Sequence, residues 1–260
     1  MDFFRDRSIL ITGASSGIGE AMARQLAPVG LHLILVARSE DKLNALAEEC
    51  RKQGSRADVF AHDLSHTGSA QELYDSITEA GHRVDVLINN AGFGKGGAFV
   101  NFPAEAYEQM ITLNKASLTS LTRLCLPGMI ERGTGGVLNV ASVAGFTPIP
   151  YFSVYAATKA FVLSFSEALH AEIKGTGVHV SCLAPGPTET GFATAADMKQ
   201  VVGGAVETAQ KVAAGLNALS RNKRTAISGT YSRVQALSSR FVPRKLTMAI
   251  SERYMKGAEK

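Results

Sequence analysis

Cysteine is scarce in this chain of 260 residues: Cys50, Cys125 and Cys182 are too widely spaced for a zinc or disulfide framework, and a reducing cytoplasm is the expected setting. No uninterrupted apolar run reaches the ~18 residues that a membrane-spanning helix requires. A secretory signal is not expected, because Met1-Asp2-Phe3-Phe4-Arg5-Asp6-Arg7 is charged and passes at once into a strand-like run. Repeats, interdomain linkers and low-complexity tracts are missing too, so residues 1–260 read as one domain, large enough to bury a full core. Charged residues make up 19% and hydrophobic ones 45%, the balance of an ordinary soluble protein, and no nucleic-acid partner is indicated.

The net charge of +4 is small but uneven. Beyond position 220 the acidic residues are only Glu252 and Glu259, against Arg221, Lys223, Arg224, Arg233, Arg240, Arg244, Lys245, Arg253, Lys256 and Lys260. Val234, Leu237, Phe241, Leu246, Ile250 and Tyr254 interleave with them, which makes residues 229–260 a basic amphipathic tail. Such a tail suits a membrane surface, an acidic ligand or a neighbouring subunit, and equally a solvated outer helix face.

What is present in quantity is alternation. Apolar strands are predicted at 8–12, 31–37, 57–61, 84–88, 136–141, 178–183 and 225–227. Helical stretches are predicted at 20–27, 41–53, 67–80, 103–132, from about 155 to 174, and 207–219. Strand and helix in turn predict right-handed βαβ units and an α/β fold: a doubly wound, mostly seven-stranded parallel sheet with helices on both faces. Ligands of such sheets bind beyond the carboxyl ends of the strands.

Several chemistry-bearing residues fall at those ends. Gly13-Ala14-Ser15-Ser16-Gly17-Ile18-Gly19 lies between the first strand and the first helix, where glycines let backbone approach a pyrophosphate and helix amides face its charge. The spacing differs from G-x-G-x-x-G. Arg38 ends the second strand, where an arginine suits a 2′-phosphate and an acidic residue a free ribose hydroxyl, so NADP(H) is favoured over NAD(H). Asn89-Asn90-Ala91-Gly92 ends the fourth strand, and Gly92 to Gly97 reads as a flexible loop. Asn114 sits in mid-helix, where asparagine ordinarily costs stability, so either a buried polar role or chance placement accounts for it.

Ser142 follows the fifth strand, and Tyr155 and Lys159 stand four apart on one helix face. The spacing predicts the Lys159 ammonium beside the Tyr155 oxygen, favouring the ionised phenol. Bringing a tyrosine from ~10 to about 7 takes roughly 4 kcal/mol at ~1.36 kcal/mol per unit. Taken alone, Tyr-x-x-x-Lys fits a solvated surface pair as well. Phe161, Phe165 and Leu169 continue that helix as a core or subunit-contact stripe, with core preferred. His62 and His66 straddle a strand end with no third ligand suggested, so no metal site is expected.

Taken together, Thr12 to Gly19, Asn89 to Gly92, Ser142, Tyr155-Ala156-Ala157-Thr158-Lys159 and Pro185-Gly186 resemble the short-chain dehydrogenase/reductase family over nearly the whole chain. The resemblance implies a Rossmann-type fold and hydride exchange between a nicotinamide and a carbonyl or alcohol. Tyr155 would be the general acid or base, Ser142 would orient the substrate oxygen, and Lys159 would lower the Tyr155 pKa and hold the nicotinamide ribose. Asn114 would anchor a water linked to Lys159. Gly13, Ser15, Ser16, Gly17, Ile18 and Gly19 would line the phosphates, Asp63 and Leu64 the adenine, and Asn90, Ala91 and Gly92 its ribose. Pro185, Gly186, Thr188 and Thr190 would meet the nicotinamide end. Thr188 departs from the family's usual Val or Ile, a change without consequence if the backbone makes the contact.

Pro185 to Phe192 and Phe241-Val242-Pro243-Arg244-Lys245 resemble the bacterial DltE-like branch, which fixes no substrate. Phe93, Phe146, Phe152 and Phe192 are expected to wall an apolar substrate pocket, and residues 191–204 admit a substrate lid. A homodimer or homotetramer is expected from the family likeness. Two further readings stay open: a cofactor-binding regulatory protein without turnover, and the same enzyme attached peripherally to membrane through its tail.

Overall fold

A computed structural model of the chain describes residues 1–198, 206–239 and 241–259. The first half runs β1 (Ser8–Thr12), α1 (Gly17–Leu26), β2 (His32–Ala37), α2 (Glu40–Lys52), β3 (Arg56–Ala61), α3 (Ser69–Glu79) and β4 (Val86–Asn89). The second half adds α4 (Ala104–Ile111), α5 (Leu118–Glu131), β5 (Gly135–Val140), α6 (Ser153–Glu172), β6 (Val178–Ala184), β7 (Thr188–Glu189), α7 (Phe192–Ala195) and β8 (Glu207–Thr208). It closes with α8 (Ala209–Ala213), α9 (Leu216–Ser220), β9 (Thr225–Ile227), α10 (Thr230–Ser238) and α11 (Arg244–Glu259).

One seven-stranded sheet has the order β3-β2-β1-β4-β5-β6-β9, and every pairing in it is parallel. Its central strands are mostly apolar and buried because both faces are covered, whereas the edge strand β3 carries Arg56 and Asp58. Ile9, Ile11, Leu33, Leu35, Val86 and Ile88 point into one core with Met22 and Leu26 of α1, Leu43 of α2 and Leu216 of α9. Their neighbours Leu10, Ile34, Val36 and Leu87 point into the other, with Leu73 and Ile77 of α3 and Leu121, Cys125 and Met129 of α5. The two-residue period of a strand thus divides one apolar run between two layers. The register pairs Ile9 with both Leu33 and Val86. The chain leaves β1 for β2 on one side and returns to β4 on the other, so the strand order reverses between β1 and β4. At that reversal a crevice opens beyond the strand ends.

The seven predicted strands match within a few residues, and the differences lie elsewhere. The helix expected over 103–132 contains a π-helical turn at Thr112–Ser117, whose wider winding buries both Asn114 and Ser117. Ser117 Oγ then donates to the Leu64 carbonyl at 2.7 Å, tying the loop after β3 to this helix. The helix expected over 207–219 is instead β8, α8 and α9: Glu207 and Thr208 pair with β7 in a two-stranded sheet, and the Thr208 hydroxyl accepts from Lys211 N at 3.3 Å to begin α8.

Phe161 is exposed and stacks on Phe165 with centroids 5.8 Å apart, so the core preference for that stripe is corrected at its first position. Glu72, from the first turn of α3, approaches His62 and His66 within 4.8 Å and supplies the third group that the strand-end reading lacked. His32, Asp58 and His82 form a second such group. Residues 192–195 of the expected lid form α7, and 199–204 lie outside the described residues.

Candidate active site

The glycine turn is held against β4 by one asparagine. Asn90 Nδ2 donates to the carbonyls of Thr12 and Gly13, at 3.0 and 3.1 Å, while the backbone amides of Asn90 and Ala91 both donate to Thr12 Oγ1 at 3.0 Å. A Cβ on Gly19 would lie 2.4 Å from the Gly13 carbonyl oxygen, so only glycine allows this close crossing. Ser16, the N-cap of α1, makes no side-chain capping bond, which leaves first-turn amides free for an external acceptor. An anion held by backbone amides at a helix N-terminus is what this cradle fits. Gly17 and Thr190 meet at one end of a cleft of about 350 Å³ also lined by Glu20, Arg24, Glu189 and Gln210.

Arg38 is exposed at the end of β2. Burial tends to raise the Asp63 carboxyl, but hydrogen bonds from Ser65 and the charge of Arg38 hold it below the usual range. Leu64 is buried against the α3 and α5 layer. At the far strand ends the Pro185 carbonyl accepts from Val143 N at 2.9 Å, and Gly186 N donates to Ser228 Oγ at 3.2 Å. A Cβ on Gly186 would meet Ser232 Oγ at 2.1 Å, so this segment lies directly on α10. Thr188 is buried and donates its hydroxyl to the Gly186 carbonyl at 2.9 Å.

Ser142, Tyr155, Lys159 and Asn114 come together at the end of β5. Ser142 Oγ accepts from Ala144 N at 3.1 Å, which leaves its own proton for another partner. Asn114 Oδ1 accepts from Phe93 N at 3.1 Å, and its Nδ2 donates to Phe93 O at 2.9 Å and to Thr158 Oγ1 at 3.1 Å. The Asn114 side chain therefore ties the strand-four loop to α6. Lys159 Nζ donates to the Val140 carbonyl at 2.9 Å and lies 5.7 Å from the Tyr155 ring centroid.

The ionised phenol expected from the Tyr155–Lys159 spacing is corrected by burial. With Tyr155 only 7% exposed, loss of solvent pushes its pKa up to about 12, against the pull of the Ser142 hydroxyl. Burial also brings Lys159 down to about 8. In both cases loss of water disfavours the charged form.

Phe152 stacks on Tyr155 with centroids 4.4 Å apart, and Phe192 lies at 5.3 Å. Phe93 packs in the same cluster, whereas Phe146 packs with Leu118, Ala141 and Val162 in a separate one. Three of the four expected wall residues thus surround the tyrosine. In the Gly92 to Gly97 loop, Gly96 N donates to Ala196 O at 2.9 Å and Gly97 N to Tyr151 O at 2.8 Å. Sequence reasoning missed Met110, Tyr151 and Met255 in this cluster. Met255 carried a signal in hindsight, as an apolar residue in the predicted amphipathic tail.

Residues 7–201 match the family model described as short chain dehydrogenase. The chain belongs to the short-chain dehydrogenase/reductase family of oxidoreductases. It is 39% identical over 183 residues to the very-long-chain 3-oxoacyl-CoA reductase of Anas platyrhynchos, covering 68% of this chain and 58% of that protein. It is 32% identical over 222 residues to the ketoacyl reductase HetN of Nostoc sp., covering 85% of this chain and 77% of that one. Among solved structures, a short-chain dehydrogenase from Sphingobium yanoikuyae in complex with NADPH superposes with a TM-score of 0.81 at 34% identity, over 93% of this chain and 95% of the other.

Proposed function

We propose that the chain is an NADP(H)-dependent oxidoreductase that interconverts a carbonyl and an alcohol on an apolar substrate. The observation that carries this reading is the buried Tyr155 phenol beside the Ser142 hydroxyl, at the same carboxyl ends of the strands as the amide cradle of α1. When bound, the nicotinamide supplies or accepts the hydride. Ser142 donates a hydrogen bond to the substrate oxygen and fixes its place. Tyr155, protonated at neutral pH, delivers its proton to that oxygen as negative charge develops there, which suits reduction. In the oxidative direction the phenol must first be deprotonated, and Lys159 is the nearby cation that favours this. Asn114 positions Thr158 and the Phe93 backbone.

Gly13, Ser15, Ser16, Gly17, Ile18 and Gly19 hold the phosphates in this reading. Arg38 takes the 2′-phosphate, Asp63 and Leu64 the adenine, and Asn90, Ala91 and Gly92 its ribose. Pro185, Gly186, Thr188 and Thr190 meet the nicotinamide end. The NADPH complex of the Sphingobium relative supports the choice of cofactor. Phe93, Phe152 and Phe192 support an apolar substrate, as do the names of the ketoacyl and very-long-chain 3-oxoacyl-CoA reductases. Three buried, unpaired thiols accord with a reducing cytoplasm. The exposed Phe161 ring suits a homodimer or homotetramer.

NADPH consumption screened against aldehydes, steroids, acyl thioesters and diketones tests the reading. The highest kcat/KM is expected among apolar carbonyls, and no consumption with any class would refute it.

A second reading adds membrane attachment. It is favoured by exposed Val234, Leu237, Phe241, Leu246, Ile250 and Tyr254 beside Arg233, Arg244, Lys245 and Arg253. Among the described residues no helix is long and apolar enough to cross a membrane. Co-sedimentation with anionic vesicles should fall in Leu246→Asp/Ile250→Asp if the tail binds lipid, and stay unchanged if it does not.

A further inference from the structure

The far end of the chain covers the candidate active site. Among the described side chains of α11, Met255 alone is buried, at 5% exposure, and it shares one apolar cluster with Met110, Phe152 and Tyr155. Arg253, Tyr254 and Lys256 around it are exposed. Lys256 Nζ lies 2.7 Å from the Glu252 carboxylate and 5.7 Å from the ring centroid of Tyr151. Tyr151 itself holds φ at 61°, a left-handed backbone that a tyrosine adopts only where its surroundings impose it. Its carbonyl receives the Gly97 amide, so the same residue joins α11 to the loop after β4.

Phe152 precedes α6 directly and is anchored by that long helix, and Phe192 begins α7. Met255 belongs to a helix whose described residues are otherwise exposed or half-exposed, so few contacts oppose its withdrawal. With Phe152, Phe192 and Met255 all in this cluster, Tyr155 has almost no contact with solvent. A substrate carbon must nevertheless come within reach of its oxygen. Methionine is unbranched, with three rotatable bonds, and fills or vacates an irregular apolar space with little strain.

We propose that α11 is a lid over the substrate pocket and that Met255 is its specificity-determining plug, occupying the place that an apolar group of the substrate takes when the helix moves away. This rests on the oxidoreductase reading above. The substrate class is a carbonyl compound bearing an aliphatic chain or compact ring next to the reacting carbon. A short polar aldehyde gains nothing by displacing the plug. Lys256, set over the Tyr151 ring, is the latch that returns the helix, its Glu252 partner lying one turn away on α11 itself.

The three native thiols are all buried, so a cysteine at position 255 reports alone. Full-length Met255→Cys is exposed to 5,5′-dithiobis(2-nitrobenzoate) with NADP+ alone, and with NADP+ plus 2-decanone, a pair that cannot turn over. Labelling should be slow with NADP+ and at least about tenfold faster with the ketone, in proportion to the open population. Met255→Ala and Met255→Trp in the full chain should shift the ratio of kcat/KM for 2-decanone to that for acetaldehyde in opposite directions, each by about tenfold.

A labelling rate that is fast from the start, or unmoved by ketone in an enzyme that turns over carbonyls, overturns the lid and leaves the oxidoreductase reading intact. Failure to consume NADPH with any carbonyl overturns both.

Discussion

Lys159 directs its ammonium at the Val140 carbonyl, 2.9 Å away, and not at the Tyr155 oxygen. Its folded pKa of about 8 lies below the ordinary 10.5, so between those values the unfolded chain holds a proton that the folded chain has released. Stability contributed by this group therefore rises with pH across that window, by at most about 1.4 kcal/mol per pH unit. Cys125 and Cys182, pushed up to about 12 by burial, act in the opposite sense above their ordinary value of 9.0. The melting temperature should accordingly rise by a few degrees between about pH 7.5 and 9 and lose that rise in Lys159→Met. A rise that survives the substitution assigns the titration to another group.

Tyr155→Phe keeps the ring between Phe152 and Phe192 and removes only the hydroxyl. Its kcat for carbonyl reduction should fall by about 10²- to 10⁴-fold, the usual worth of a positioned proton donor. The Kd for NADPH, read by fluorescence titration, should change less than about threefold. Retained turnover would remove Tyr155 from the chemistry.

Arg38→Asp places a carboxylate where the 2′-phosphate is proposed to lie, beside Asp63. The ratio of kcat/KM for NADPH to that for NADH should drop by about 10- to 100-fold, the loss of one charge-assisted contact. If the ratio stays put, discrimination resides elsewhere.

Asn114→Leu leaves both the amide and the carbonyl of Phe93 without their partner. Urea unfolding should show a loss of about 1 to 3 kcal/mol, from two half-buried backbone groups left unpaired. A loss below about 0.5 kcal/mol would mean that water replaces the side chain, which the burial of Asn114 argues against.

Gly19→Ala forces a methyl group against the Gly13 carbonyl. The turn must shift, and NADPH affinity should weaken at least about tenfold while the far-UV spectrum stays native. Unchanged affinity would place the dinucleotide away from this turn.

The central strands were readable because they are apolar on both faces, and the alternation of Ile9, Leu10 and Ile11 between two cores is a direct consequence of pleating. The glycine turn, Asn90, Ser142 and the pair Tyr155 and Lys159 were readable because they sit where local geometry dictates, at strand ends or four apart on a helix. The π-helical turn at Thr112–Ser117 was not, since helix propensity says nothing of an extra residue accommodated by Asn114 and Ser117 reaching partners far along the chain. The short pairing of Glu207 with Thr188 likewise depends on a distant strand, and good helix formers on either side concealed it. Spacing placed Lys159 near Tyr155 but left the sign of the pKa shift open, because desolvation depends on Phe152, Phe192 and Met255, which come from three separate segments. Met255 was hidden for the same reason: in sequence it is one apolar residue of an amphipathic helix, and only the fold brings it to the tyrosine.

The most direct test of the central claim follows isotope from cofactor to product. NADPH deuterated at the transferring position of nicotinamide C4 is incubated with the wild-type chain and the apolar carbonyl giving the highest kcat/KM, and the alcohol is weighed by mass spectrometry. The account predicts one deuterium per alcohol on the former carbonyl carbon, formed at least about 100-fold more slowly by Tyr155→Phe. Alcohol without deuterium, or label appearing equally fast in the variant, would contradict it.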